Sequence, residues 1–261
     1  MAAAADRDRA RDEGCASDLP YNVRLTKTFR DFRYYEILLI IFVVVLLISN
    51  LVGPKICAIG PFRISAAQLL FPITYIFGDI FTEVYGYGAS RRAIWMAFFA
   101  EGLLAILGLI AVFAPPSPTW HDQEAFEKVF FVYPRMIIAS LTAFWCGEFV
   151  NSFVMAKMKI LTRGRYLWTR TVGSTAAGQA VDTTVLMIIA FAGRSAPGEI
   201  VNLIFSGYLG KVLYEIAATP VTYLIVNSLK RAEGMDPFDY GTKFNPFARN
   251  RHAEPGTPAA T

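Results

Sequence analysis

Residues 35–52 read YEILLIIFVVVLLISNLV. After Glu36 no ionisable side chain occurs until Lys55. As a helix rising 1.5 Å per residue, such a run approaches the ~30 Å thickness of a bilayer's hydrocarbon core. Five further apolar segments follow, at Ile64–Tyr85, Ala93–Phe113, Val129–Ala156, Thr171–Ala192 and Ile200–Leu229. Each approaches or exceeds the ~20 residues that a spanning helix needs. The fourth and sixth are long, so tilt or extension beyond the bilayer is expected. Composition agrees. Hydrophobic residues make up 54% of the chain and charged residues 18%, against roughly 25% charged in ordinary soluble domains. The fold expected is all-α, a polytopic membrane bundle of six transmembrane helices.

The loops predict orientation. Arg24, Lys27, Arg30 and Arg33 precede the first span, and Arg91 and Arg92 follow the second. Lys157, Lys159, Arg163, Arg165 and Arg170 separate the fourth from the fifth, and Lys230, Arg231 and Lys243 follow the sixth. If every segment crosses, all these lie on one side. The other side holds Lys55, Arg63 and Arg194 and an acidic stretch with Asp122, Glu124, Glu127 and Lys128. The positive-inside rule then places both termini in the cytoplasm; the location expected is the cell (inner) membrane. Residues 1–34 read as a mostly disordered cytoplasmic arm, 35–229 as the transmembrane domain and 230–261 as a cytoplasmic tail. The start lacks the pattern of a cleaved signal peptide. Trp95, Trp120 and Trp168, at span ends, fit interfacial belts.

Several chemistries are disfavoured. Cys15, Cys57 and Cys146 form no CxxC pair, and His121 and His252 stand far apart, so no metal or other cofactor is expected. No Gly-x-Ser-x-Gly elbow and no intramembrane histidine occur, which argues against an enzyme of the serine-histidine type. Gly207-Tyr208-Leu209-Gly210-Lys211 lacks the spacing of a phosphate-binding loop, so no ATP hydrolysis is expected by that route.

Polar residues within the spans are the site candidates, because each needs a partner in hydrocarbon. Asp79 and Glu83 lie four apart on one helix face, near the cytoplasmic end of their span, where water or the Arg91–Arg92 pair is an alternative partner. Glu148, Asn151 and Ser152 share a face of the fourth span, and Gln179, Asp182 and Thr183 repeat the spacing in the fifth. The two stretches read Gly147-Glu148-x-x-Asn151-Ser152 and Gly178-Gln179-x-x-Asp182-Thr183, an internal similarity that suggests matching polar edges on one cavity. Lys211 and Glu215 fit either an internal ion pair or a site role. Ser140, Thr142, Ser152, Thr183 and Thr184 read as packing contacts, and Gly147 and Gly178 as points of close helix approach. Pro72, Pro134 and Pro220 interrupt spans.

These stretches together resemble the queuosine precursor transporter family, also called the VUT family. The matching residues are Asn50-Leu51-Val52-x-x-Lys55, Phe71-Pro72-Ile73, Asp79-Ile80-Phe81-Thr82-Glu83-Val84-Tyr85-Gly86 and Arg91. They continue with Arg135, Ala139-Ser140, Gly178-Gln179-x-x-Asp182-Thr183, Ala190-Phe191-x-Gly193, Lys211 and Thr219-Pro220. The run Asp79 to Gly86 is the most specific. The fourth span departs from the family pattern: Glu148-x-x-Asn151 stands where Gln-x-x-Asp is common. The resemblance implies import of a 7-deazaguanine base such as 7-cyano-7-deazaguanine, a precursor of the tRNA nucleoside queuosine. The substrate-binding candidates are Glu148, Asn151, Gln179, Asp182, Asp79, Glu83 and Lys211. A carboxylate would accept from the guanine-like N1–H and amine, and an amide or ammonium would donate to O6. Phe144, Trp145, Phe149 and Phe153 are candidate walls. Expected partners are this small molecule, the lipid bilayer and a second copy of the chain in a homodimer, with no nucleic acid. A carrier or substrate-binding subunit for another small heterocycle or vitamin stays open, as does a scaffold without a ligand.

Overall fold

The computed structural model describes residues 32–53, 55–59, 62–130, 134–193 and 196–247. The chain divides into two compact units, residues 1–33 and 34–261. Only Phe32 and Arg33 of the first are described, so the expected N-terminal arm, with Cys15, and the last residues, with His252, lie outside the described residues.

The elements of the second unit are α1 (Tyr35–Val52), β1 (Ile56–Ile59), β2 (Phe62–Ser65), α2 (Ala67–Tyr85), α3 (Tyr87–Phe113), α4 (Gln123–Phe130), α5 (Pro134–Leu161), α6 (Leu167–Phe191) and α7 (Pro197–Glu233). In α1, Tyr35, Leu39, Phe42, Leu46 and Ser49 form an inward stripe, whereas Ile37, Ile40, Ile41, Val44 and Ile48 stay exposed. Phe99, Leu103, Ile106, Leu107, Ile110 and Phe113 do the same on α3. A helix apolar on its outer face as well as its inner one belongs in lipid. By length and composition α1, α3, α6, α7 and the segment Gln123–Leu161 are able to cross a membrane. The protein is a multi-pass helical membrane protein. The remaining helix, α2, has 19 residues and is the most interior, so it carries Thr74, Asp79, Thr82 and Glu83 in place of apolar ones.

The helix ends reveal how the chain alternates. Tyr35 at the start of α1 donates its hydroxyl to Ala89 O at the start of α3 (2.9 Å). Tyr85, ending α2, donates to Glu233, ending α7 (3.0 Å). Lys159 near the end of α5 donates to Glu83 O (2.8 Å), and Arg170 near the start of α6 binds the Glu83 carboxylate. Six helix ends therefore meet at one end of the bundle, as they must if each long helix runs its full length once.

Several boundaries differ from the expected ones. The second helix starts at Ala67 and not at Ile64, because Ile64 pairs with Cys57 in the antiparallel hairpin β1–β2. The third starts at Tyr87 and not at Ala93. Gly86 turns the chain at φ +83°, a backbone conformation favourable to glycine, and Asp239 caps the new helix by accepting from Tyr87 N (3.0 Å). The fourth starts at Pro134, which thus opens a helix instead of interrupting one; the preceding apolar residues belong partly to the separate helix α4. The sixth continues to Glu233. Beyond it, residues 234–247 fold back on α3 and α5. Tyr87 Oη donates to Phe244 O, Trp95 Nε1 to Pro246 O, and Arg91 to the carbonyls of Lys243 and Asn245.

The closest helix pair is α5 with α6, and its geometry is reciprocal. A Cβ on Gly147 would lie 2.7 Å from Asp182 Cβ and 3.1 Å from Gly178 O. A Cβ on Gly178 would lie 2.8 Å from Asn151 Cβ and 2.9 Å from Gly147 O. Each glycine thus faces the residue four positions after the other, which is the relation a local two-fold axis between antiparallel helices creates. Small residues at such a crossing let two backbones touch. Gly178→Ala should lower thermal stability in detergent by about 1–3 kcal/mol, the usual range for forcing a methyl into packed backbone. Gly210→Ala, where nothing lies within 4 Å, should leave it unchanged. Equal melting temperatures for the two variants would contradict the crossing.

Candidate functional site

The α5–α6 crossing sets the site. The residue after each glycine and the residue four after it turn toward a cavity of about 220 Å³ shared with α1, α2, α3 and α7. Five of the seven residues expected from the sequence line it: Glu148 and Asn151 on α5, Gln179 and Asp182 on α6, and Lys211 on α7. Asp79 lies just behind, its Oδ1 accepting from Asn151 Nδ2 at 3.4 Å. Glu83 is not among the lining residues.

The lining residues divide by whether their bonds are complete. Lys211 Nζ pairs with Asp182 Oδ2 at 2.5 Å, and not with Glu215 as helix spacing alone allowed. Gln179 Oε1 accepts from the Tyr75 hydroxyl at 3.0 Å, which leaves its NH₂ as the donor end. In contrast, Glu148 Oε2, Asn151 Oδ1, Thr175 Oγ1 and Thr183 Oγ1 are buried without a partner among the described residues. Glu148 has room for its carboxylate because α2 carries glycine opposite: a Cβ on Gly78 would sit 2.9 Å from Glu148 Oε2. Of the expected aromatic walls, Phe144 lines the cavity. Trp145 and Phe149 turn away toward Trp95, and Phe153 toward Phe244.

Sequence reasoning did not name several lining residues as site candidates, among them Thr74, Tyr75, Thr175, Glu101 and Asn50, the last quoted above only for the family resemblance. Glu101 of α3 and Asn50 of α1 meet in a close contact between Asn50 Nδ2 and Glu101 Oε1, and Glu101 Oε2 has no partner among the described residues. Glu101 was detectable by the rule that singled out Glu148, an acid within an apolar run. Both residues also border a second hollow, of about 800 Å³, between α1, α3, α4 and α5. It shares Asn50, Glu101, Ser140 and Leu186 with the first cavity and reaches Glu124, Glu127 and Lys128 on α4. Helix α4 is held against α3 by Phe130 at Gly108 and by a bond from Gln123 Nε2 to Val112 O (3.2 Å).

Residues 65–225, which hold every lining side chain except those of α1, match the profile of the family described as "Putative vitamin uptake transporter". The chain belongs to that family. It is also 26% identical over 176 residues, 67% of its length and 77% of the relative's, to the "Probable queuosine precursor transporter" of Bacillus subtilis (strain 168). No solved structure matches. As a vitamin uptake transporter family member, the protein is a transporter with a small-molecule substrate, working in a lipid bilayer.

Glu83 has a different setting from the cavity acids. Arg170 grips it with both Nη2 (2.7 Å) and Nε (3.2 Å), Lys230 Nζ lies at 2.5 Å and Lys159 Nζ at 3.5 Å. Asp236 completes the network with Lys159 (2.6 Å) and Lys230 (2.8 Å). The alternative partners, Arg91 and Arg92, are turned elsewhere: Arg91 to carbonyls of the C-terminal segment, Arg92 over the Tyr35 ring. The network ties α2, α5, α6 and α7 together at the end opposite the 800 Å³ hollow. Removing one member of a buried ion network strands its partners, at a cost of about 3–5 kcal/mol. Glu83→Gln should therefore melt well below the wild type. An unchanged melting temperature would show the network to be dispensable.

At Asp236, burial raises the carboxyl's pKa, but Lys159 and Lys230 outweigh burial and hold it below the ordinary range. A folded value below the unfolded one contributes stability above the unfolded pKa, lost as pH falls through the folded one. The wild type should destabilise as pH drops below about 4. Asp236→Asn should flatten that part of the profile; identical acid limbs for the two proteins would refute the assignment.

Proposed function

We propose that this protein imports a 7-deazaguanine base, a queuosine precursor such as 7-cyano-7-deazaguanine, across the cell membrane. The observation that carries the reading is Glu148: its side chain lines a cavity of about 220 Å³, small for a ligand site and suited to one bicyclic base, and its Oε2 is buried with no partner among the described residues. A guanine-like edge offers the two adjacent donors, N1–H and the exocyclic amine, that a carboxylate accepts as a pair. The Gln179 NH₂ supplies a donor for O6, and Phe144 an apolar wall. The similarity to the Bacillus subtilis protein supports the same substrate class. The exchange of acid and amide between α5 and the family pattern is consistent with this cavity, because the carboxylate without a cation is on α5 and that of α6 is held by Lys211.

We place both termini in the cytoplasm. The Glu83 network and the basic loops then close the inner end, and the hollow beside α4 is the outer entrance, with Asn50 and Glu101 at its neck. Reporter fusions at Thr119 and Gly198 should report the outside and a fusion at Gly164 the inside; a Gly164 fusion reporting outside would overturn this orientation.

The binding test compares acids that differ in pairing. Glu148→Gln keeps volume but presents an NH₂ to a ligand that also donates. A buried donor left unpaired costs about 1–3 kcal/mol, so affinity for 7-cyano-7-deazaguanine should fall roughly tenfold or more. Ser140→Ala, at the cavity margin, should change it little. Unaltered binding in Glu148→Gln would remove Glu148 from the recognition, and a wild type that binds no deazapurine would overturn the substrate.

A further inference from the structure

Asp79 and Glu215 are buried acids for which neither substrate recognition nor the inner ion network accounts. Asp79 is 0% exposed and Glu215 1% exposed. Asp79 Oδ2 and both carboxylate oxygens of Glu215 have no partner among the described residues. They stand on α2 and α7, which pack together, and the charge of Glu215 acts on Asp79. Among the described residues no ion pair commits a cation to them. Lys211, one turn from Glu215, is held by Asp182; Arg170, Lys159 and Lys230 are held by Glu83 and Asp236. The other groups facing Asp79 are Asn151 and Glu148 on α5 and Glu83 one turn along α2. Two adjacent carboxylates without a cation cannot both stay ionised at membrane depth. Among the described residues no group of three or more His, Cys, Asp or Glu side chains is arranged to hold a metal ion.

We propose that the Asp79–Glu215 pair is a proton-binding site and that the proton it holds is the ion co-transported with the substrate. The proposal deepens the import reading above and rests on it for the identity of the co-transported molecule. Asn151 is the link to the cavity. Its Nδ2 donates to Asp79 Oδ1, while its unpaired Oδ1 belongs to the cavity lining. A ligand that engages Asn151 changes the bond Asp79 receives, so substrate and proton occupancy influence each other. The exit runs along α2: Glu83, on the same face as Asp79, lies within the inner cluster with Asp236 and Lys230, which reach the tail segment. A proton entering with substrate from the outer hollow passes Asp79 and Glu215 and leaves toward the inner end. No bond is made or broken except to the proton.

The test has one readout that requires the substrate and one that does not. In proteoliposomes with an acidic exterior, the wild type should accumulate labelled 7-cyano-7-deazaguanine above equilibrium. A protonophore should abolish the accumulation, and replacing sodium by potassium should not affect it. Asp79→Asn and Glu215→Gln should each lose accumulation, and Glu215→Gln, whose residue is not among those lining the cavity, should keep exchange of labelled for unlabelled compound. Neither variant should melt below the wild type, unlike Glu83→Gln, since each removes an acid without a cation. Independently of any substrate, infrared spectra of the purified protein should contain a protonated-carboxyl C=O band, shifted in heavy water, of which a component is missing in both variants. If that band is the same in wild type and both variants, the proton site is wrong. Accumulation that depends on sodium, or that persists in both variants, would overturn the coupling. A wild type that does not move the compound at all would count against the substrate assignment alone, and the infrared comparison would still decide the proton site.

Discussion

The contact of Gly147 with Gly178 positions the polar interior of this protein. With backbones of α5 and α6 touching, Glu148 and Asn151 on one helix and Gln179 and Asp182 on the other are brought to a common cavity wall. A side chain at either glycine would separate the helices, and the four polar groups would no longer converge. The near two-fold relation between the two segments follows from the reciprocal contact of two antiparallel helices at their glycines. Here the symmetry is broken chemically: one carboxylate is neutralised by Lys211 and the other is left open.

Compensation of charge sorts the remaining acids in the same way. Glu83 sits among three cations and an acid from the C-terminal segment, and its place is to hold four helices together. Glu148, Glu101, Asp79 and Glu215 are also buried and have oxygens with no partner among the described residues. An unsatisfied acid in a native interior costs stability, and a protein keeps it where a ligand or a proton completes it. Along α2 the two cases adjoin, Asp79 open and Glu83 closed, separated by one helical turn.

How far this was legible in the sequence depended on the kind of signal. The bounds of α1 followed directly, because a long apolar run lies between Arg33 and the helix breakers Gly53-Pro54. The start of α2 did not, because Ile64 reads the same in a strand as in a helix and only pairing with Cys57 distinguishes them. The spacing of Glu148, Asn151, Gln179 and Asp182 pointed to one cavity, since helical periodicity is a local property. The partner of Lys211 was not readable: Glu215 is nearer in sequence, and Asp182 is nearer in space by virtue of the α6–α7 packing. The C-terminal segment was also opaque. Its anchors, Asp239, Phe244 and Phe247, are scattered through polar residues without a period, and their partners are more than a hundred positions away.

The central claim is that the open carboxylate of Glu148 makes this cavity a carrier for a deazaguanine base. It is tested most directly in cells that cannot synthesise queuosine precursors and lack their own importer, supplied with 7-cyano-7-deazaguanine and expressing this protein. Queuosine in their tRNA should appear with the wild type at limiting precursor and be strongly reduced with Glu148→Gln at equal membrane abundance. Equal queuosine with the two proteins, or none with the wild type, would contradict it.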